Sequence, residues 1–360
     1  MTIVYYIPTV YWGGREQYVF ELAKNMRERY NGKVVFILPQ KTPEMMFERF
    51  QSLGECIRFR FSDGWFCSGY RAQRALAKLL DIYQADILHI NSPQHFSQAA
   101  GAKKIVKHPF RIVATQHFVQ EANNSSCWKK RYKQIDHLIC VSQRVKNVYL
   151  APFNEEKVFP NVHIIYNSVA LEHPHCIANQ EVDVPVVFYH GRICQEKGVF
   201  VLIHALEQLK NTPFRLALAG NIEPKDQAAW DNILQTSPIR NCIEYLGFRT
   251  DIHKLIQQFQ IGVVPSIVRE AGSLTLLENM ALGLPTITSD NGSQYEFIRH
   301  YENGLLCPSC EGLYWTDALA LLLNNPELRI RFAKKAQEDF FANYTYDKVL
   351  RQIYDIYSGQ

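Results

Sequence analysis

Short runs of β-forming residues alternate with helical stretches along most of the chain, and this alternation is the strongest constraint on its fold. In the first half the runs are TIVYYI, KVVFIL, ADILHIN, RIVATQHF, HLICVS and VHIIYNS. Between the first two runs, Tyr18, Leu22 and Met26 recur at the spacing of one helix face. A β–α–β series of this kind predicts a parallel sheet covered by helices.

A second series follows a polar interruption at residues 170–185, which we interpret as a linker. Its β-forming runs are VVFYHG, FRLALAG, IEYLG, IGVVPS and PTITSD. A chain of 360 residues is long enough for two domains of ordinary size. We therefore predict an α/β protein with two Rossmann-like, doubly wound parallel-sheet domains, over residues 1–169 and 170–338.

The segment 339–360 is rich in aromatic residues and is predicted to be a helix that docks back on the N-terminal domain. Doubly wound sheets bind ligands beyond the carboxyl ends of their strands. Two such domains facing each other would enclose a deep cleft.

Membrane-spanning and secreted proteins are not indicated. No uncharged apolar window of about 18 residues occurs, and the N-terminus lacks the basic region and cleavage site of a signal peptide. The nine cysteines are scattered, and the one CxxC pair, Cys307 and Cys310, has no second pair to complete a metal site. We expect a cytoplasmic protein with reduced thiols.

The two halves of the chain differ in charge. Residues 1–169 hold 23 Lys and Arg against 13 Asp and Glu, a net of +10, whereas residues 170–360 hold 16 against 22, a net of −6. The basic half is expected to meet something anionic, such as nucleic acid, an anionic membrane surface or a phosphorylated substrate.

A helix start flanked by two carboxylates lies in REAGSLTLLENMALG, from residue 269 onward. The helix is predicted to begin near Gly272–Ser273 and to end at Gly283, so the first-turn N–H groups of residues 272–275 would face an anion. Glu270 precedes this helix, and Glu278 lies about two turns along it. Both carboxylates are suited to accept hydrogen bonds from hydroxyl groups.

Two cations are expected to add to this anion site. Arg192 and Lys197 follow a buried strand in HGRICQEKG, where such residues can hold phosphate. An anion site between carboxylates matches a nucleoside diphosphate sugar, which carries a ribose diol, a diphosphate and a sugar diol. Two simpler interpretations remain open: ordinary loop charges for the cations, and a surface position for Glu278.

Taken together, these motifs resemble GT-B fold glycosyltransferases of family 4, the retaining nucleotide-sugar transferases. The E-x7-E pair followed by NMALGLPTI is similar to the family signature, and HGRICQEKG is similar to its diphosphate loop. The resemblance implies an N-terminal acceptor-binding domain, a C-terminal donor-binding domain and a deep cleft between them. It departs from the family pattern at Ala271, where an aromatic residue is frequent, and at Ser293, where a second glycine is usual.

The resemblance also implies roles for particular residues. The backbone near Phe248 and Arg249 would read the base, and Gly13 and Gly14 would let the backbone approach the donor phosphates. His117 would face the transferred sugar. The residues implied for catalysis are Glu270, His117, Arg192 and Lys197. Those implied for donor binding are Gly13, Gly14, Phe248, Arg249, Gly272, Ser273, Leu274, Thr275 and Glu278.

The resemblance further implies same-face transfer in which the leaving phosphate helps to deprotonate the acceptor. The protein would then mainly position the reactants and stabilise the departing diphosphate. No D-x-D triplet stands where a metal-bound diphosphate would need one, so no metal or other cofactor is expected beyond the nucleotide-sugar co-substrate. Family frequency favours a UDP-hexose or UDP-N-acetylhexosamine.

Cations and aromatic residues interleave in the N-terminal half, at residues 58–78 and 127–134. The mixture suits an anionic membrane surface or a lipid-linked glycan acceptor, as in bacterial-type cell-surface polysaccharide or lipopolysaccharide synthesis, and a solubilising basic face is an equal alternative. No nucleic-acid-binding motif is present. The residues in question are Arg58, Arg60, Trp65, Phe66, Arg71, Trp128, Lys129, Lys130, Arg131 and Tyr132.

Three other functions are alternatives to glycosyl transfer. A nucleotide-sugar epimerase would use a similar two-domain scaffold, and a non-catalytic GT-B partner subunit would have a degraded site. A glycan phosphorylase would need a lysine for pyridoxal phosphate, which cannot be placed here.

Overall fold

The computed structural model describes residues 1–60, 67–92, 95–154, 157–171, 182–308 and 311–360, with the side chains of all but Cys67 and Ser68. The chain divides into two compact units. Unit 1 comprises Met1–Asn167 with Asp347–Gln360, and unit 2 comprises Ser168–Tyr346. Part of the predicted linker lies outside the described residues, as do Trp65, Phe66 and Cys310.

Unit 1 is an α/β unit around one parallel sheet. Its strands are β1 (Thr2–Tyr6), β2 (Lys33–Pro39), β3 (Glu55–Phe59), β4 (Ile87–Ile90), β5 (Arg111–Gln116), β6 (His137–Cys140) and β7 (Asn161–Ile164). They pair in the order β3-β2-β1-β4-β5-β6-β7. The first helices are α1 (Gly14–Tyr30), α2 (Glu44–Gln51), α3 (Cys67–Tyr83), α4 (Phe96–Ala102), α5 (Ser126–Tyr132) and α6 (Gln143–Leu150).

Unit 2 repeats this architecture with a smaller parallel sheet. Its strands are β8 (Val186–His190), β9 (Arg215–Ala219), β10 (Ile243–Gly247), β11 (Ile261–Val264), β12 (Thr286–Ser289) and β13 (Leu305–Cys307), in the order β10-β9-β8-β11-β12-β13. Its helices are α7 (Val199–Glu207), α8 (Gln227–Thr236), α9 (Ile252–Ile256), α10 (Leu274–Ala281), α11 (Gly312–Asn324) and α12 (Pro326–Asn343).

The predicted fold class, two doubly wound parallel sheets, is confirmed, and each β-forming run named from the sequence is a strand. Two strands were not predicted, β3 and β13. Both are at sheet edges, since β3 pairs with β2 and β13 with β12. The β3 sequence ECIRF carries charges, and β13 has only three residues, so neither shows the apolar run of a buried strand.

Both faces of the unit 2 sheet are covered, because alternate residues of strand β8 pack in different core clusters. Val187 and Tyr189 pack with Trp230, Trp315 and other residues in one core cluster. Phe188, between them in sequence, belongs to a cluster on the opposite face. Alternate residues of a strand point to opposite faces, so a strand covered on both sides is apolar throughout.

The predicted helix over residues 339–360 is two helices in the structure. Residue 339 lies within α12, which ends at Asn343, and α13 covers Tyr346–Ser358. Between them, the Tyr344 carbonyl accepts a hydrogen bond from the Ser168 hydroxyl, and the Tyr344 hydroxyl donates to the Glu296 carbonyl at 3.0 Å. These contacts hold Tyr344 outside a helix.

From Asp347 onward, α13 belongs to unit 1. Its buried residues recur at helical spacing, as expected of an amphipathic helix packed on a core. Tyr354 stacks on Tyr30 of α1 with ring centroids 3.8 Å apart. Arg111 of β5 donates to the carbonyls of Ile356, at 3.0 Å, and Tyr357. A cation is favourable at these C-terminal carbonyls because they carry the negative end of the helix dipole.

Among the described residues, no helix is both long and apolar enough to cross a lipid bilayer.

One histidine in the unit 1 core makes the stability of that unit depend on pH. His89 of β4 is fully buried, and this burial lowers its pKa to about 3. The unfolded chain takes up a proton at an ordinary histidine pKa, about 6.5, whereas the folded chain does not until far lower pH. The contribution of the neutral His89 to the free energy of unfolding is therefore full well above pH 6.5 and declines as the pH falls toward 3.

We expect His89 to account for a loss of about 2 kcal/mol in unfolding free energy between pH 7 and pH 5. Urea unfolding of wild type and His89→Gln at both pH values measures this, because the glutamine variant should lack that part of the loss. The control is His204→Gln, since the His204 side chain is 68% exposed. Equal pH dependence in wild type and His89→Gln would contradict the assignment.

Candidate active site

The strand order of unit 2 changes direction at β8, which pairs with β9 on one side and with β11 on the other. The loops after β8 and β11 meet at this point, where doubly wound sheets bind ligands. The N–H groups of Ile267 and Val268 donate to the Glu196 carbonyl at 2.9 and 3.2 Å. Gly198 has φ of +72° and lies so close to the Pro265 carbonyl that a Cβ would be 1.9 Å from its oxygen. The two loops are thus packed backbone against backbone.

This packing brings together Lys197 and Glu270, which are 73 residues apart in sequence. Lys197 ends a short 3₁₀ turn after β8, and its Nζ lies 2.5 Å from Glu270 Oε1. The Ser266 hydroxyl donates to the same oxygen at 2.5 Å. The side chains are 26% and 15% exposed, so water screens this ion pair less than a surface pair.

The backbone of Glu270 is held from the other side by the loop after β12. Ser293 donates to the Glu270 carbonyl from its N–H at 2.8 Å and from its hydroxyl at 3.1 Å. Gly292 packs so tightly on Glu270 that a Cβ there would lie 2.3 Å from the same carbonyl oxygen. Ser293, a departure from the family pattern, is therefore a structural support for Glu270.

Helix α10 begins at Leu274, and Ser273 caps it by accepting a hydrogen bond from the Leu276 N–H at 3.3 Å. Gly272, Ser273, Leu274 and Thr275 thus form the helix start, as predicted from the sequence. First-turn N–H groups have no partner within their helix and carry the positive end of its dipole. Glu270, with its lysine, lies three residues before the cap, so the ion pair and the helix start belong to one site.

Glu278 lies further along α10 between two histidines. Its carboxylate oxygens are 3.5 Å from His190 Nδ1 and 3.5 Å from His253 Nε2. His190 is buried at the end of β8, and its Nε2 lies 3.0 Å from the Oδ1 of the fully buried Asn279. Burial lowers the pKa of His190, although Glu278 and Asn279 oppose this. Because Nε2 donates to Asn279 Oδ1, the neutral ring carries no proton on Nδ1, and His190 lies beside Glu278 without donating to it.

The other predicted donor residues of unit 2 are paired or exposed. Arg192 is 57% exposed and bonds to Glu223. Phe248 follows β10 and is 68% exposed. Arg249 forms a two-point contact with Asp251 at 2.8 and 2.6 Å.

Cys194, Glu223 and Asp226 have potential metal-ligating atoms within 4.8 Å of one another. Both carboxylates already have other partners, because Glu223 pairs with Arg192 and Asp226 accepts from the Gln195 N–H at 3.3 Å. This cluster is accounted for by loop contacts.

In unit 1, Gly13 is the N-cap of α1 and Gly14 is its first residue. The Gly13 N–H donates to the buried Glu16 carboxylate at 3.1 Å, so this amide is already engaged. His117 comes directly after β5, with Nε2 3.2 Å from Asn91 Oδ1 and its ring 5.0 Å from that of Tyr18. Burial, with Arg15 and then His89, lowers the pKa of His117 well below its usual value.

Several site residues were missed by the sequence analysis: Ser266, His190, His253, Asn279 and Glu223. His190 lies within the quoted run VVFYHG but was given no role. A polar residue in a strand otherwise fully apolar, as in VVFYH, is a usable signal, because burial of such a group requires a partner. The others lie in loops or helices where the sequence contains no such contrast.

The arrangement in unit 2 offers a helix start with an ammonium and a carboxylate beside it, and a second carboxylate further along the same helix. The ammonium and the helix start favour an anion, and the carboxylates accept hydrogen bonds from hydroxyl groups.

Comparisons with known proteins agree across most of the chain. The family model described as "Glycosyltransferase Family 4" matches residues 12–173, and that described as "Glycosyl transferases group 1" matches residues 177–339. The phosphatidyl-myo-inositol mannosyltransferase of Mycobacterium leprae is 24% identical over 366 residues, which cover 96% of this chain and 92% of the relative.

Solved structures are similar over the whole length. A glycosyltransferase from Rickettsia africae ESF-5 aligns with a TM-score of 0.86 at 20% identity, covering 99% of this chain and 98% of that one. Anabaena HepE, crystallised with UDP and glucose, aligns with a TM-score of 0.80 at 18% identity over 100% of both chains. At these identities the likeness establishes the fold.

The contact between Lys197 and Glu270 should be energetically coupled. In a double-mutant cycle of Lys197→Met and Glu270→Gln, we expect a coupling of about 1–2 kcal/mol in unfolding free energy, because the pair is shielded from water. Urea unfolding of the four proteins measures it. The control cycle is Arg215→Met with Glu244→Gln, an ion pair whose side chains are 56% and 45% exposed and whose coupling should be too small to measure. Additive effects at Lys197 and Glu270 would contradict the described contact.

Proposed function

Because the chain belongs to glycosyltransferase family 4 and has the GT-B fold, we propose that it is a retaining transferase acting on a nucleotide sugar. It moves a hexose or N-acetylhexosamine from a UDP-sugar to a glycan acceptor. Unit 2 binds the donor and unit 1 binds the acceptor. The observation that carries this proposal is the contact of Lys197 with Glu270 beside the start of α10.

In this proposal the diphosphate binds at the start of α10, from Gly272 to Thr275. Lys197 lies beside that point, and Arg192 reaches it by exchanging Glu223 for a phosphate oxygen. As the bond to the sugar breaks, negative charge grows on the leaving diphosphate. The ammonium, the guanidinium and the helix dipole stabilise the transition state, where this charge is larger, more strongly than they stabilise the bound donor. The reaction therefore needs no metal ion.

The carboxylates recognise hydroxyl groups on either side of the diphosphate. Glu270 accepts hydrogen bonds from the transferred sugar, and Glu278 from the ribose. The backbone at Phe248 and Arg249 contacts the base, and Gly13 and Gly14 allow the unit 1 backbone near the phosphates. His117 faces the transferred sugar as a neutral hydrogen-bonding group, since its pKa is lowered by burial.

A UDP donor is supported by Anabaena HepE, whose structure contains UDP and glucose. A lipid-linked acceptor is supported by the name of the Mycobacterium leprae relative, which refers to a phosphatidyl-myo-inositol. We place the enzyme in bacterial-type cell-surface polysaccharide or lipopolysaccharide synthesis, on the cytoplasmic face of the membrane. The family match favours neither a nucleotide-sugar epimerase nor a non-catalytic subunit.

Helix α5 provides the basic face on which membrane binding is proposed. It carries Lys129, Lys130 and Arg131, and the Arg131 guanidinium lies 5.0 Å from the Trp128 ring centroid. Two residues of the sequence prediction do not contribute to such a face. Tyr132 is 2% exposed and packs in the core, and Arg58 bonds to Glu44 and to loop carbonyls.

The donor is tested by incubating the protein with UDP-, GDP- and ADP-sugars and detecting hydrolysis and transfer. We expect turnover with a UDP-sugar and retention of the anomeric configuration by NMR. Glu270→Ala and Lys197→Ala should each lower kcat/KM by about 100-fold or more, since each removes a contact to the reacting group. The control is Arg215→Ala, which should leave kcat/KM unchanged. Arg215 is the first residue of β9, and the site lies beyond the carboxyl ends of the strands. Full activity of both site variants would refute the assignment, and no nucleotide binding by wild type would refute the function.

The membrane part is tested by flotation with vesicles of phosphatidylglycerol and phosphatidylcholine. We expect binding that is lost at about 0.5 M salt, because screening shortens the reach of charges at a surface. Replacing Lys129, Lys130 and Arg131 by Gln should weaken binding about 10- to 100-fold. The control replaces three cations of α12, Arg331, Lys334 and Lys335, by Gln. Absence of flotation at moderate salt, or equal effects of the two triple variants, would remove the membrane from the proposal.

A further inference from the structure

An asparagine at the carboxyl end of strand β4 contacts His117 directly. Asn91 follows the last residue of β4 and is fully buried. Among the described residues its side chain makes one hydrogen bond, in which its Oδ1 lies 3.2 Å from His117 Nε2. Its amide nitrogen, Nδ2, is also buried and has no partner within the described part of the chain. One half of this side chain thus binds His117, and the other half is unsatisfied.

Stability alone does not explain an asparagine at this position. A buried amide N–H without a partner has lost its hydrogen bonds to water and gained none in the protein, so it destabilises the fold. Leucine has the same branched shape as asparagine and would fill the position without this cost. The contact with His117 is the one feature of Asn91 that a leucine could not supply.

This contact determines which nitrogen of His117 carries the proton. Burial holds the pKa of His117 well below its usual value, so the ring is neutral at physiological pH and has a single N–H. The Oδ1 of an amide can only accept a hydrogen bond, so the N–H belongs to Nε2. Nδ1 therefore has a free lone pair, and none of the described residues forms a hydrogen bond with it.

The plane of the imidazole is held by a second contact. The Tyr18 ring of α1 meets the His117 ring edge to face, with centroids 5.0 Å apart and planes at 73°. The ring contact restricts the tilt of the imidazole, and the bond to Asn91 restricts its rotation. His117 therefore offers a ligand one hydrogen-bond acceptor, Nδ1, and no donor from its ring.

We propose that Asn91 is a positioning residue for His117, which keeps the imidazole proton on Nε2 so that Nδ1 accepts a hydrogen bond from a hydroxyl group of the transferred sugar. This proposal rests on the proposed function, in which His117 faces that sugar. It adds a requirement on the substrate, because the group opposite His117 must be a hydrogen-bond donor, as a sugar hydroxyl is. Without Asn91 the proton could lie on either nitrogen, and a ring protonated at Nδ1 would present a donor instead.

The first test is Asn91→Leu, which keeps the branched shape and removes the acceptor. We expect kcat/KM for the UDP-sugar to fall about 10-fold, whereas the calorimetric Kd of UDP stays within about twofold, because UDP lacks the transferred sugar. The melting temperature should stay level or rise, since the variant also removes the unpaired Nδ2. The control is Asn25→Leu, which removes a buried amide that donates to the Glu21 carbonyl at 2.9 Å. It should lower the melting temperature and leave kcat/KM unchanged.

The second readout is the ¹⁵N NMR spectrum of the histidine side chains, with His117 assigned from the spectrum of His117→Gln. In the wild type we expect a protonated Nε2 and an unprotonated Nδ1. In Asn91→Leu the two ¹⁵N shifts of His117 should move toward each other as both tautomers become populated, whereas in Asn25→Leu they should not move. This measurement needs no donor. A wild type that transfers no sugar would therefore refute the proposed function, while the spectra would still test the link from Asn91 to His117.

Asn91→Asp tests the same link with an acceptor retained. Its carboxylate should raise the pKa of His117, which Arg15 of α1 and His89 of β4 help to lower. At about pH 8.5 the neutral ring keeps its proton on Nε2, so kcat/KM should be close to that of the wild type. At about pH 6 the ring is protonated on both nitrogens and cannot accept at Nδ1, so kcat/KM should fall in this variant only.

Three results would overturn the proposal. One is a proton on Nδ1 of His117 in the wild type. Another is an unchanged His117 spectrum in Asn91→Leu, with or without a lowered melting temperature, since this would show a merely structural role for Asn91. The third is equal kcat/KM of the aspartate and leucine variants at both pH values.

Discussion

The contact between Lys197 and Glu270 is the interaction on which the candidate site depends. It exists because the strand order of unit 2 places β8 next to β11, so loops that are distant in sequence leave the sheet side by side. Gly198 and Gly292 let the flanking backbones approach to distances that a side chain would prevent. The Glu270 carboxylate is bound by the Lys197 ammonium, and the main-chain carbonyl of Glu270 is bound by Ser293. The contacts of Glu270 are thus in place without any ligand, which favours catalysis by positioning.

Local charge, not the net charge of each half, decides where an anion can bind. Residues 170–360 carry a net charge of −6, yet the site suited to a diphosphate lies among them. Surface charges act over about 8 Å at physiological ionic strength, so most of this negative charge is screened from the site. At the site the Lys197 ammonium and the Glu270 carboxylate balance each other, so the attraction for an anion comes from the start of α10. The net charge of +10 in residues 1–169 therefore affects what those residues bind and not the binding of the donor.

The fold and the backbone of the site could be predicted from sequence because both rest on local patterns. Apolar runs marked the strands, and the Gly272–Ser273 step marked the start of α10. Contacts between side chains that are distant in sequence could not be predicted in this way. Glu278 was predicted to accept hydrogen bonds from hydroxyl groups, but its neighbours in the fold, His190 and His253, come from a strand end and another helix. The edge strands β3 and β13 were missed because edges do not need an apolar run.

Buried histidines recur beside the polar groups of both units. His89 and His117 in unit 1 and His190 in unit 2 all have pKa values lowered by burial. A charged imidazole would attract phosphate, but it would donate from both nitrogens and could not accept a hydrogen bond. A neutral ring donates from one nitrogen and accepts at the other, as His89 can do between the hydroxyls of Tyr357 and Thr115. For chemistry that depends on holding hydroxyl groups in place, directed hydrogen bonds are of more use at these positions than further positive charge, which the lysine and the helix start already supply.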